Sequence, residues 1–509
     1  MMRSILSYLD RFHWLGLLIA APFLVFPSPV RSLALLMIPA IWILYLIQYR
    51  IENRRLKNEA GNDQPSTFNL QPSTEPGFPI TQLNINILIL AVMLLVSLWA
   101  TYSIQQSLEK ITGLVLGLGV FFAVVRESRN QGGWWWSLAV FLLGGLAWAG
   151  LGFLSMEYQV RFSFLTPVIS RIPRVIQDLP GPDLGLQHNA VGGGILWVLP
   201  IYIALGVNFI NADKKSMLRL ITEGLRLKVE GSKSWNSERD GRILVWGVKI
   251  GVWFGAVFMG LVLLLTQSRG SYLAFGLTVV GLLSLVLPRK GRFALSGTAL
   301  AGVLGLIVWI LIAGGWEGWV ENLGLAGQSG YSLDTLGARL EIWPRAMYGI
   351  EDFPLTGMGM NTFRELVHIL YPFFTISPDF DIAHAHNEFL QVGLDLGIPG
   401  MIAFISLYLI AFWTLLKTWR ASDLIAPAEN ENSTVRPAGL PLQKVLNQDP
   451  FLVKTLVLGL GGGLFGHLVF GMMDAIALGA KPGIFFWMLL GLIMGLDKLV
   501  VAESADVSE

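Results

Sequence analysis

Apolar residues fall into about twelve runs, each close to the roughly 17–25 residues that cross a bilayer as a helix. The runs cover 13–28, 32–49, 84–101, 111–126, 134–154, 190–210, 243–265, 271–287, 294–313, 398–416, 451–473 and 482–500. This pattern predicts an all-α polytopic membrane protein, with residues 1–509 as a single membrane domain. Polar segments at 50–83, 211–242 and 417–450 separate some of the runs on one side, and segments at 155–189 and 314–397 do so on the other. Basic residues decide which side is which, because short cytoplasmic loops carry an excess of Lys and Arg. Arg3 and Arg11, Arg50 to Lys57, Arg126 and Arg129, Lys214 to Arg242, Arg289 to Arg292, and Lys417 with Arg420 all fall on the side of the termini. Both termini are therefore expected in the cytoplasm, and the segments at 155–189 and 314–397 outside it.

The polar segments differ in character. The one at 50–83 repeats Gln-Pro-Ser-Thr at Gln64–Thr67 and Gln71–Thr74, and Ser422–Gln448 is similarly rich in small polar residues. These have the composition of chain without a packed core. The segment at 314–397 is about eighty residues long and rich in aromatic and aliphatic side chains, so it is expected to fold as a cap over the membrane helices. Trp134-Trp135-Trp136, at the start of a run, has the look of an aromatic belt at the lipid interface.

Composition narrows the function. With 53% hydrophobic and 14% charged residues and a mean hydropathy of +0.59, the chain belongs in a bilayer. Its net charge of +1, with basic residues scattered between apolar runs, points away from a nucleic-acid partner. The absence of cysteine removes disulfides, thiolate nucleophiles and cysteine-ligated metals. Arg3 and Arg11 precede the first apolar run, and no small-residue cleavage pattern follows, so that run is expected to remain as a span.

Candidate chemistry centres on Ala383–Gly400, AHAHNEFLQVGLDLGIPG, at the edge of a predicted span. Steps of three and four residues place His386, Leu390, Gly393 and Gly397 along one face of a short predicted helix, which Gly397 ends and Pro399 prevents from continuing. Arg269 stands in Thr266–Gly270, between two spans with hardly any loop around it. A cation there faces a polar cavity, or snorkels. Arg339 opens an amphipathic stretch with Ile342, Trp343 and Ala346, where Glu341 or Asp334 could pair with it. Lys110 lies just before the fourth run, where an interfacial anchor is an alternative. Asp379, Asp381, His384 and His386 fall within eight residues, a donor set of the kind that binds zinc or manganese.

Taken together, these blocks resemble a known family. His386-Asn387, nine residues, then Gly397-x-x-Gly400 resembles the HN-x9-G-x-x-G signature of the O-antigen ligase and polymerase superfamily. Ser268-Arg269-Gly270, and Arg339…Trp343…Asp352-x-Pro354-x-x-Gly357-x-Gly359-x-x-x-Phe363, are similar to its other blocks. The resemblance implies a GT-C-type glycosyltransferase architecture of about twelve transmembrane helices in the bacterial inner membrane, with a large periplasmic loop between the ninth and tenth. It further implies transfer of a glycan from an undecaprenyl-diphosphate carrier to an acceptor hydroxyl on lipid A-core or another lipid or glycan, with neither metal nor other cofactor. His386 matches the general base, Arg269 and Arg339 match the arginines that hold the diphosphate, and Lys110 and Asn387 take further substrate-binding positions.

Elementary chemistry agrees with those assignments. A free imidazole titrates near pH 6.5 and so can take the proton of an attacking hydroxyl. Guanidinium forks suit diphosphate oxygens, and direct displacement inverts the anomeric carbon. A polymerase of lipid-linked repeats shares these features. A small-anion transporter, as in a branch once named for inorganic-carbon transport that Gly466-His467 and Asp474 resemble, would instead place ionisable residues near mid-membrane and show an internal repeat.

Overall fold

The structure is a computed structural model, and it describes residues 79–128, 131–158, 165–172, 175–176, 186–211, 238–312, 336–423 and 449–506. The predicted spans 13–28 and 32–49, the Gln-Pro-Ser-Thr repeats, and most of the polar segments at 211–242 and 417–450 lie outside these residues.

Among the described residues the chain is helical and contains no sheet; one isolated bridge joins Met156 and Leu186. The helices are α1 (Asn84–Ala100), α2 (Ile104–Glu127), α3 (Gln131–Ser155), α4 (Thr166–Ile169), α5 (His188–Asn211), α6 (Glu238–Thr266), α7 (Arg269–Val286), α8 (Arg289–Ile312), α9 (Leu336–Asp352), α10 (Thr362–Leu370), α11 (Glu388–Ser422), α12 (Pro450–Gly471) and α13 (Gly483–Asp506). Eight of them are long and apolar enough to cross a membrane: α2, α3, α5, α6, α7, α11, α12 and α13. The protein is thus an all-α polytopic membrane protein. The predicted spans 84–101 and 294–313 are also helical, as α1 and α8.

Enclosure is graded across the bundle. In α13, 89% of the apolar window is buried, against 17% in α7 and 28% in α6. Hence α13 forms the centre, while α6 and α7 turn side chains such as Trp246, Phe254, Leu273 and Leu285 outward. Lipid is as apolar as leucine, so close packing and buried polar bonds hold such helices together. One such bond joins Tyr408 Oη on α11 to His467 Nδ1 on α12 at 2.7 Å, with the imidazole stacked on Trp197 of α5 at 4.3 Å.

Three local readings of the sequence are corrected here. Trp134 is fully buried and donates from its indole nitrogen to Leu492 O at 2.9 Å, and Trp135 is buried beside it, so only Trp136 is exposed as a belt residue would be. Helix α2 starts at Ile104, which places Lys110 inside the helix and not ahead of it. The helix after the histidines starts at Glu388, with Asn387 as its cap, so His386 precedes the helix and shares no helical face with Leu390. Its φ of 49° is left-handed. Gly397 breaks this helix as expected (φ 67°, ψ 178°), and the chain resumes as the long span that carries Pro399 near its start.

The described part of the 314–397 segment has a core of its own, built from Ile342, Ala346, Phe363, Val367, Ile382 and Leu394. It sits on the end of the bundle where α1 turns into α2. Met360 N donates to Ser97 Oγ at 2.7 Å, Ser107 Oγ donates to Met360 O at 2.6 Å, and Thr101 and Thr362 hydroxyls meet at 3.0 Å. These bonds tie the cap to the helix that bears Lys110.

Candidate functional site

Asn387 caps α11 by accepting from the amides of Phe389 and Leu390 at 3.0 and 3.1 Å, and its Nδ2 donates to Met472 O at 3.2 Å. Both ends of this side chain, expected to bind substrate, therefore bond to the protein. They also bring the end of α12 against the start of α11. Across that junction His384, His386 and Asp474 converge, with their ligating atoms all within 4.8 Å of one another. His384 Nε2 lies 3.4 Å and His386 Nδ1 3.5 Å from Asp474 Oδ1. The two rings are 4.4 Å apart. His386 and Asp474 are only 4% and 2% exposed.

Protonation follows from these contacts. The amide of His386 donates to His384 Nδ1 at 3.2 Å, so neutral His384 carries its proton on Nε2 and presents it to Asp474. Burial is the main reason that His384 is pushed down to about 3; His386, Lys110 and Arg339 reinforce this and Asp474 opposes it. Burial alone would raise the Asp474 carboxyl, but the two histidines outweigh it and hold the group below its ordinary range.

A pH dependence of stability follows. Between about 6.5 and about 3, unfolded His384 binds a proton that the folded protein refuses, so stability falls as the pH is lowered through that window, by up to about 1.4 kcal/mol per pH unit. Asp474, whose folded carboxylate also refuses a proton that the unfolded one binds, adds to this loss in the same sense below about 3.9. His384→Asn is expected to flatten the dependence of melting temperature on pH between 7 and 4.5, measured by thermal unfolding in detergent.

The cations reach the site from separate elements. Lys110 on α2 acts electrostatically on His384, Glu388 and Asp395, and Arg339 on α9 acts on His384. Arg339 Nε is buried and has no hydrogen-bond partner among the described residues. Glu341, one of its two expected partners, instead accepts from the amide of Thr375 at 3.1 Å and pairs with Arg345 at 3.6 Å, and the other, Asp334, lies outside the described residues. Arg269 is the exposed first residue of α7, whose cap Ser268 donates to Asn189 Oδ1 at 2.7 Å. A Cβ on Gly270 would stand 3.6 Å from that of Met473, so the first turn of α7 packs beside the residue before Asp474.

Gly479 secures the other wall. Its φ is +74°, and a Cβ there would lie 2.3 Å from the carbonyl oxygen of Lys110. Gly479→Ala should therefore force α2 and the Asp474 loop apart. We expect a loss of about 1–3 kcal/mol in stability, read by thermal unfolding in detergent.

His384, His386 and Asp474 could also hold a metal ion. The acidic partners expected from sequence are not among them: Asp381 pairs with Arg364, and Asp379 is exposed. The donor set fits a cation poorly, because the proton on His384 Nε2 blocks a ligand atom and two positive side chains act on the same ring. Asp474 lies 88 positions beyond His386, and the sequence reading connects it with a transporter-like branch and not with the histidines.

Below this end, α7, α11 and α12 enclose an apolar cavity of about 590 Å³ lined by Leu282, Phe412, Leu415, Trp419 and Phe465, among others. The same helices contribute Arg269, Asn387 and the residues before Asp474 to the site.

Residues 254–405 match the family model described as O-antigen ligase, a span that takes in Arg269, Arg339 and His386 but leaves Lys110 and Asp474 outside. Among curated proteins no significant match was found. Through this segment the chain is similar to the O-antigen ligase (Wzy-C) family.

Proposed function

We propose that the protein is a ligase-like, inverting glycosyltransferase that moves a glycan from an undecaprenyl-diphosphate carrier to an acceptor hydroxyl at the periplasmic face of the inner membrane. The carrying observation is the buried His384–His386–Asp474 cluster, with Lys110 and Arg339 acting on it, whose two histidines lie inside a segment that matches the O-antigen ligase family. In this reading the cap end of the bundle is periplasmic and both termini are cytoplasmic.

His386 Nδ1 carries a proton toward Asp474, which leaves Nε2 with the free lone pair. At 3.5 Å that contact is longer than a formed hydrogen bond, as catalytic contacts commonly are before substrate arrives. The acceptor hydroxyl loses its proton to Nε2 as its oxygen forms a bond to the anomeric carbon. The bond from that carbon to the diphosphate oxygen breaks, and the electron pair leaves with the diphosphate. Lys110, Arg269 and Arg339 stabilise the charge that develops there, and such a leaving group needs no separate acid. Asp474 keeps the imidazole in the useful tautomer and stabilises the imidazolium that forms. The apolar cavity between α7, α11 and α12 receives part of the polyprenyl tail.

The test is transfer by purified protein from an undecaprenyl-diphosphate glycan in the presence of EDTA, with mass analysis of the product. Glycan appearing on a lipid A-core acceptor, undiminished by EDTA, is expected. Elongated glycan that remains on the carrier would make the protein a polymerase, and activity abolished by EDTA would put a metal at His384, His386 and Asp474.

A further inference from the structure

Glu388 is the first residue of α11, two positions after His386, and is only 2% exposed. Its carboxylate meets backbone instead of a cation: Oε2 accepts from the amides of Ile476 and Ala477 at 2.5 and 2.9 Å, and Oε1 from that of Leu478 at 3.2 Å. These amides belong to the residues that follow Asp474. Asp474 itself accepts from the amide of Ala475 at 2.9 Å, and the residue two before it is tethered by Asn387 through the Met472 carbonyl. Segment 472–478 is thus fastened to the first turn of α11 on both sides of Asp474, on the helix that directly follows His386.

We propose that Glu388 is a positioning residue for transfer: by gathering three successive amides it fixes the loop on which Asp474 is carried, and so sets Asp474 against His386. The inference rests on the reading of His386 as base and Asp474 as its orienting partner. The residue type matters. Three N–H groups converge on two oxygens, and a carboxyl group offers both of them as acceptors. Glutamine would replace one oxygen with an NH2 that faces an amide N–H, donor against donor, and the loop must then shift. A displacement of about 1 Å in a catalytic constellation is worth roughly 100-fold in rate.

The experiment is a double-mutant cycle on the purified full-length protein, with steady-state transfer and thermal unfolding measured for Glu388→Gln, Asp474→Asn and the pair. Glu388→Gln is expected to lower kcat about 100-fold with KM for the donor within a few-fold. It should also change the pH profile of kcat/KM in the same sense as Asp474→Asn. In the Asp474→Asn background the same change should cost no more than about twofold, because the partner it positions is already lost. Glu388→Asp, which keeps the charge on a shorter arm, should fall between wild type and Glu388→Gln and keeps the question open to measurement if Glu388→Gln folds poorly. An undiminished effect of Glu388→Gln in the double mutant, or a lower melting temperature with unchanged kcat, overturns the inference alone. Full activity of Asp474→Asn removes the base reading and the inference with it.

Discussion

His386→Asn should abolish glycan transfer, with kcat down by about 100- to 10,000-fold, while the protein folds and melts as wild type does. The choice of asparagine comes from the backbone. His386 sits at φ 49°, in the left-handed region that asparagine tolerates far better than alanine. His386→Ala would combine loss of the imidazole with backbone strain and confuse a catalytic defect with a folding one. Asparagine leaves the turn intact, can still offer an N–H toward Asp474, and cannot take a proton from a hydroxyl. Purified variant and wild type, compared for transfer from the same lipid-diphosphate donor and for thermal unfolding, give the answer. Transfer at the wild-type rate would remove His386 as the base.

Arg339→Lys should cost about 100- to 1,000-fold in kcat/KM for the diphosphate donor, the range expected when a preorganised donor to developing charge is lost. A lysine preserves the charge but not the planar fork. Here the difference is sharpened by the buried Nε of Arg339, which bonds to no described residue and is available for a ligand oxygen. Arg269→Lys should cost less, because Arg269 is exposed. Titration of donor concentration separates the two readings. A rise in KM with kcat unchanged would mean that Arg339 only binds the donor, whereas a fall in kcat places its contribution in the transition state.

The membrane helices were legible because hydrophobic run length is a local property: every predicted span with described residues is a helix. What escaped was tertiary. Trp134 reads as an interfacial tryptophan by its place in the sequence, and only the packing of α3 against α13 shows it to be core. The face assigned to His386 failed for a local reason: Asn387-Glu388 is a strong helix start, with a capping side chain followed by an acid in the first turn, and it puts the histidine outside the helix. His386, Arg269 and Arg339 were nameable as candidates because motif blocks mark them. Neither Asp474 nor Glu388 was assigned to this site, because their partners are set by the meeting of two span ends far apart in the chain.

Among the described residues, the non-glycine positions with left-handed backbone are Gln267, Asn361 and His386. Each belongs to, or directly precedes, one of the sequence blocks that carry the family resemblance. Such a conformation costs on the order of 1 kcal/mol or more per residue, and the surrounding packing must supply it. Glycine at Gln267 or Asn361 would relieve the tension but leave the neighbouring blocks less firmly held, and at His386 it would remove the reactive group itself, so durability and chemistry compete here for the same few backbone torsions.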